Sequence, residues 1–374
     1  MINKKNIIIC VEKKVTHRDI SRFGIKILKK YFNVDIINFS NLINKSYSKC
    51  SNLEKSINNI ESFLNLLKTK NYIFAIDYLR TSEISKTYKI KKIIKDHKIK
   101  LVQIHNGLLP IEPYTIKNNL KKILNIKIFF LFIKKKIHNL FINNKLTYDI
   151  SLISGLKAPI IYPETKLVKK KIYTHSFDYE KTLQGDKKIK NKKYGVFIDE
   201  NLILHPDYKI FQIDISKYLN DYYKNLVKSL KKFKKEYNID IIICAHPTLN
   251  LSITKKYLSE FQCLYGKTKE LVKNSNIVFI HQSTAISFPV IYNKPLVFLN
   301  YDKIKNTFLY ANINRMSSLF NKKVYLIDRE VSPSKKKDFR VDKSYYSKYL
   351  NNYIVHPKSN KSNSMWIELA KNFR

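Results

Sequence analysis

Two short stretches bring together side chains able to hold an anion. Cys244-Ala245-His246-Pro247-Thr248 follows on the apolar run Ile239 to Ala245, and His281-Gln282-Ser283-Thr284-Ala285 follows on Ile277 to Ile280. An imidazole at a strand end can donate to a phosphate oxygen, and it titrates near neutrality. The proline after His246 biases that residue to extended geometry and stops the strand. Ser283 and Thr284 suit the cap of a helix; beside uncapped amides the same hydroxyls make a phosphate seat. A helix is expected from here toward Tyr292, shortened by Pro289, and Lys294 beyond it is a further candidate cation for the phosphate. In open α/β sheets ligands bind beyond the carboxyl ends of the strands. The two stretches converge on one spot if their strands are neighbours in the sheet.

Other strand ends carry chemistry of their own. Asp199-Glu200, followed by His205-Pro206-Asp207, closes the run Tyr194 to Asp199. Such acids can bind a sugar hydroxyl or act as a base, and their spacing suits no standard metal-ligand set. His105-Asn106-Gly107 ends the run Leu101 to Ile104, and His17, Arg18 and Asp19 follow the first run, Ile7 to Val11. His175 and Asp178 read as structural, with Ser176 or Asp178 capping a helix. No Asp-x-Asp triplet occurs, so no metal is expected.

The elements that must position these residues read as short continuous apolar runs alternating with helical patterns. That is the signature of parallel α/β sheets covered on both faces. Runs at Ile7 to Val11, Val34 to Phe39, Tyr72 to Ile76 and Leu101 to Ile104 form a first series. Tyr194 to Asp199, Ile239 to Ala245, Ile277 to Ile280 and Leu296 to Leu299 form a second, with an amphipathic helix from Tyr218 to Tyr237. The lysine-rich stretch Asp186 to Lys193 marks the boundary. We therefore expect Rossmann-like domains at 1–187 and 188–345, and a tail at 346–374 ending in a docking helix around Met365-Trp366-Ile367 and Leu369. The length of 374 residues agrees with two domains.

Composition removes several classes. Six scattered glycines leave no GxGxxG and no GxxxxGK[ST] phosphate loop. Four cysteines without CxxC spacing argue against structural zinc and against a disulfide scaffold. The net charge of +42 attracts polyanions, yet its carriers are mostly scattered lysines, with no helix-turn-helix, zinc-finger or RNP-type pattern. The lysine-studded apolar segment 116–146 is too short in its uninterrupted core, Ile128 to Ile133, to span a bilayer. It reads as a core-facing helix, with a surface-lying basic helix as the alternative. The N-terminal run reads as a strand and not as a signal peptide, which points to a cytoplasmic chain.

His246-Pro247 followed by Ser283-Thr284 resembles the HP and S/T motifs of bacterial sialyltransferases and polysialyltransferases, and of related CMP-Kdo-using capsule enzymes. Thr174 to Tyr179, Tyr194 to Glu200 and His205-Pro206-Asp207 are similar to bacterial surface-carbohydrate biosynthesis proteins of the same GT-B architecture. The resemblance spans roughly residues 100 to 300. It implies a GT-B-like α/β fold, two Rossmann-like domains with parallel sheets facing a cleft. It further implies inverting, metal-independent transfer of an acidic sugar (sialic or other nonulosonic acid, or Kdo) from a CMP donor.

In that reading His246, Pro247, Ser283, Thr284 and Lys294 bind the nucleotide-sugar donor, and His17, Arg18 and Asp19 contact a glycan or glycolipid acceptor. The sequence departs from the family at the acidic D/E-D/E-G motif, whose nearest match is His105-Asn106-Gly107. The base is then His105, or else Asp199, Glu200, Glu112 or Asp19. No cofactor is expected beyond the CMP-sugar co-substrate. The basic surface would hold the enzyme peripherally at an anionic inner membrane, with no specific nucleic-acid partner. The alternatives are a UDP-sugar, GDP-sugar or CDP-glycerol donor, and an inactive GT-B-like scaffold or polyanion-binding protein.

Overall fold

The computed structural model describes residues 4–44, 52–79, 84–110, 146–185, 193–205, 208 and 213–373. All but Leu146 of the segment expected at 116–146 lies outside them, as do Glu112, Cys50, Pro206, Asp207 and most of the lysine-rich stretch 186–193.

The chain forms two compact units. The first comprises residues 1–106, 112–177 and 356–374, the second 107–111 and 178–355. The first unit contains a parallel sheet of β1 (Asn6–Val11), β2 (Asn33–Asn38), β3 (Lys55–Ser56), β4 (Tyr72–Asp77), β5 (Lys100–His105), β6 (Ile150–Ser154) and β7 (Lys170–Thr174). Their spatial order is β3-β2-β1-β4-β5-β6-β7. The second sheet holds β8 (Tyr194–Ile198), β9 (Asp240–Ala245), β10 (Gln262–Tyr265), β11 (Ile277–Ile280), β12 (Leu296–Asn300) and β13 (Val324–Leu326). Here the order is β10-β9-β8-β11-β12-β13, and every recorded pairing is parallel. Both sheets are doubly wound. The chain starts in the middle, builds outward, then returns to build on the other side, which creates a switch point beside the first strand.

Side-chain alternation explains why these runs are apolar throughout. Ile7, Ile9 and Val11 enter one core, while Ile8 and Cys10 enter the core on the opposite face. In the second sheet Tyr194, Val196 and Ile198 face one core and Phe197 the other. Two-residue periodicity with both faces buried leaves no polar face. Gly195 allows one close approach: a Cβ there would lie 2.8 Å from the Phe279 ring. On one face the sheet is covered by the helix Leu219–Tyr237, whose Tyr222, Tyr223, Leu226, Leu230, Phe233 and Tyr237 are all buried.

The expected C-terminal helix is Met365–Lys371, and it packs in the core of the first unit through Met365, Trp366, Leu369 and Ala370. The stretch 346–374 is thereby shared: residues up to Val355 belong to the second unit and those from His356 to the first. Phe373 stacks on Phe74 at 4.1 Å. Gly24 sits at φ 61°, and a Cβ on it would meet the Trp366 ring at 2.2 Å. Trp366 is fully buried, so Trp366→Ala should destabilise the first unit by about 3–5 kcal/mol. Urea unfolding measures this; a midpoint equal to wild type would show that the helix does not hold the unit together.

Candidate functional site

A strand lies between the two sequence signatures and carries the acids of the candidate site. β9, which leads to His246, and β11, which leads to Ser283, are not neighbours: β8 lies between them and pairs with both. Direct convergence of adjacent strands is thus corrected to a flanking arrangement, with Asp199 and Glu200 at the end of the central strand. The β8/β11 boundary is also the switch point, where the connections leave in opposite directions.

Asp199 and Glu200 are buried, not solvated in a loop. The Asp199 carboxylate accepts the His246 amide through Oδ2 at 3.1 Å and the Asn201 amide through Oδ1 at 3.1 Å. Glu200 Oε2 accepts the Gln282 amide at 2.5 Å. Each acid therefore ties one of the flanking loops to the central strand. Burial pushes Asp199 up to about 6, although the backbone donors oppose it. Burial also pushes Glu200 well above the usual range, and the neighbouring Asp199 charge adds to this. Asn201 follows in the left-handed region at φ 55°, a conformation asparagine tolerates better than most residues.

On the β9 side, His246 is half-buried and Pro247 and Thr248 are exposed. His246 Nδ1 accepts the Thr248 amide at 3.2 Å and lies 2.7 Å from the Thr248 hydroxyl. With Nδ1 accepting, the neutral ring carries its proton on Nε2 and can donate from there. Asn250 then caps the helix Leu251–Tyr257 by accepting the Ser252 amide at 2.9 Å.

On the β11 side the anchor is His281, fully buried. Its Nδ1 donates to the Leu299 carbonyl at 2.7 Å and its Nε2 accepts from the Tyr222 hydroxyl at 2.8 Å. Burial pushes its pKa down to about 4, so it stays neutral in this bridging role. Ser283 Oγ accepts the Ala285 amide at 3.2 Å and caps a 3-10 turn, Thr284–Ile286, which runs into the helix Ser287–Ile291. The expected helix toward Tyr292 thus opens as a tighter turn. Thr284 is exposed.

Lys294 does not join this group. It precedes β12, at the opposite edge of the parallel sheet from Ser283, and its carbonyl accepts the Tyr346 hydroxyl at 2.7 Å. At about 3.3 Å per residue, a four-residue strand alone separates the two edges by more than about 10 Å. The same edge carries an open, lysine-lined depression of about 510 Å³ around Lys193, Lys234 and Asp240, well away from His246.

In the first unit, His105 ends β5 and is buried. Its Nε2 lies 3.8 Å from Glu164 Oε1, and its ring lies 4.3 Å from that of Tyr162. His17 and Arg18 are exposed beyond β1, on the same carboxyl edge as His105 and separated from it by β4. Asp19 is engaged in a capping box with Thr16: its Oδ2 accepts the Thr16 amide at 3.0 Å and hydroxyl at 2.7 Å. His175 is buried, with Nε2 3.1 Å from the Asn363 carbonyl. Among the described residues no group of three or more His, Cys, Asp or Glu could hold a metal ion. Cys10, Cys244 and Cys263 are free thiols.

Sequence reasoning missed Gln282, whose amide meets Glu200, and Thr248, which sets the His246 tautomer. It also missed the Tyr222–His281 pair and the left-handed turn at Asn201. The Asp-Glu-Asn order was a readable turn signal, and Thr248 lies only two residues from His246; the Gln282–Glu200 and Tyr222–His281 contacts join distant elements.

No family model matches the chain, and no curated protein matches it. Solved structures do match over its whole length. UDP-GlcNAc 2-epimerase from Methanocaldococcus jannaschii is similar over 99% of this chain and 100% of its own, with 11% identity and a TM-score of 0.53. CalG4, the calicheamicin glycosyltransferase, is similar over 93% of this chain and 92% of its own, with 10% identity and a TM-score of 0.50. The chain has the GT-B-like fold of these structures: two doubly wound parallel-sheet units. Among the described residues no helix is long and apolar enough to cross a membrane.

The buried acid pair yields a direct test. In the unfolded chain Asp199 titrates near 3.9, against about 6 when folded. Its contribution to stability therefore falls as pH rises from about 4 to about 6 and is level above. Carboxyl ¹³C NMR should give a midpoint near 6 that vanishes in Asp199→Asn, with faster exchange of the His246 amide. A midpoint near 4 would mean the carboxylate is hydrated and does not tie the loop.

Proposed function

We propose that the chain is a sugar-nucleotide-processing glycosyltransferase whose second unit binds the nucleotide at the carboxyl edge of its sheet, around β8. The observation that carries the reading is the pair of loops, His246 to Thr248 and Gln282 to Thr284, latched from either side onto Asp199 and Glu200. The donor is a UDP-sugar in the first reading, supported by the likeness in fold to a UDP-GlcNAc 2-epimerase. A CMP-linked acidic sugar is the second, supported by His246-Pro247 and Ser283-Thr284 standing in the order of HP and S/T motifs.

The chemistry is the same in either case. An acceptor hydroxyl attacks the anomeric carbon, the bond from that carbon to the phosphate oxygen breaks, and the acceptor proton passes to a base. Negative charge develops on the departing phosphate. His246 Nε2–H and the Ser283 and Thr284 hydroxyls would stabilise that charge as it forms, which is where donors contribute most. The reading calls on no metal. Asp199 and Glu200 serve as positioning residues, since their oxygens hold backbone amides. The acceptor is assigned to the first unit, with His17 and Arg18 as contacts. His105 takes the acceptor proton, Glu164 stabilising the imidazolium that results.

Thermal unfolding with UDP, UDP-GlcNAc, CMP, CDP and GDP tests the reading. A nucleotide at about 100 times its Kd adds about 2.7 kcal/mol, an upward Tm shift of several degrees. We expect a shift with UDP ligands, lost in His246→Ala; a shift with CMP alone selects the second donor. His246→Ala should also lower turnover by about 10²-fold. No shift with any nucleotide overturns the reading.

A further inference from the structure

The first unit carries a patch that the nucleotide chemistry does not use. Seven large apolar side chains are exposed among the described residues, and three of them fall within one stretch of the chain: Leu156 at 47%, Ile160 at 48% and Leu167 at 61%. Singly exposed leucines need no explanation, but a cluster does. These three occupy the connection between β6 and β7. That connection is made of the helical turn Ala158–Ile161 and the 3-10 turn Pro163–Leu167, which pack against each other. Ala158, Thr165 and Val168 are buried and hold the connection to its unit, so the exposed side chains are not displaced core residues. Lys166, Lys169, Lys170 and Lys171 are all exposed beside them. Lys169 approaches an acid, Asp149, at 3.7 Å.

We propose that the segment from Leu156 to Lys171 docks the protein on an anionic lipid bilayer. Exposed apolar side chains and exposed lysines on one short connection match a surface that is hydrocarbon at depth and negative at the headgroups. A nucleic acid would be met by the lysines but leaves the leucines and isoleucine unused. The segment also reaches the first unit's own candidate site, because Tyr162 and Glu164, the neighbours of the His105 ring, both lie on it. Bilayer contact would thus set a lipid-linked hydroxyl compound beside the imidazole. The docking itself is independent of the nucleotide reading.

The test must separate this patch from the general attraction of a +42 chain. The full chain is sedimented with vesicles of phosphatidylcholine alone, or with about 30% phosphatidylglycerol, at about 0.1 M and about 0.5 M NaCl; the higher salt screens charge beyond a few ångströms. Wild type should bind the anionic vesicles at both salts and the neutral ones weakly. The triple variant Leu156→Ser, Ile160→Ser, Leu167→Ser should lose high-salt binding by on the order of 100-fold while keeping its circular dichroism and nucleotide-induced Tm shift. Leu167→Ser alone, at the most exposed position, should show a smaller loss in the same direction. High-salt binding that persists in the triple variant, or that wild type lacks, overturns the proposal in favour of charge alone. Retention on single-stranded RNA without retention on vesicles overturns it in favour of a nucleic acid.

Discussion

Two consecutive carboxylates at the end of one central strand organise the second unit's sheet edge. Asp199 and Glu200 follow directly on β8, and each reaches a different flanking loop. One holds the amide of His246 and the other that of Gln282. A buried carboxylate is costly unless its oxygens are met by donors. Here the donors are backbone amides that would otherwise be left without partners at the strand ends. Desolvation of the acids and satisfaction of the amides offset each other, and the loops gain fixed positions. His246 and Ser283 inherit those positions, and so does the neutral His281–Tyr222 bridge beneath them.

The same principle separates what was legible in the sequence from what was not. Ile277 to Ile280 is read without error as β11, and the helix expected from Tyr218 begins one residue later, at Leu219. Burial of both faces writes itself as an unbroken apolar run, and a single buried face as a helical period. β6 and β7 escaped because serine and lysine interrupt them: Ser151 and Ser154 are buried within β6, while Lys170 and Lys171 open β7. β3 and β13 are two and three residues long and carry too few side chains to show a period, while β10 is only half-buried and, opening on Gln262, is no unbroken apolar run.

At the site, residue types were readable and strand order was not. Nothing local in Ile239 to Ala245 or Ile277 to Ile280 says that a third strand lies between them. That order follows from the doubly wound path of the second unit, and it puts Asp199 and Glu200, read from the sequence as candidate acids, between the two loops. Lys294 fails for the same reason. It is close to Ser283 in sequence, but a helix intervenes, and in a parallel sheet a returning helix delivers the chain to the opposite edge.

Charge is the feature most visible in the composition and the least informative about place. Lysines spread over the surface create a broad positive field that draws any anion toward the molecule without choosing a spot. Two cations near the carboxyl edge of the second sheet are already engaged: Lys303 with Asp221 at 2.8 Å and Arg329 with Asp302 at 2.7 Å. What discriminates is geometry that lysine abundance cannot produce. The His246 tautomer set by Thr248 is one case, and the exposed apolar side chains at Leu156, Ile160 and Leu167 are another. A basic field brings an anionic ligand or surface close. Directed donors in the one case and hydrocarbon in the other decide whether it stays, and at which unit.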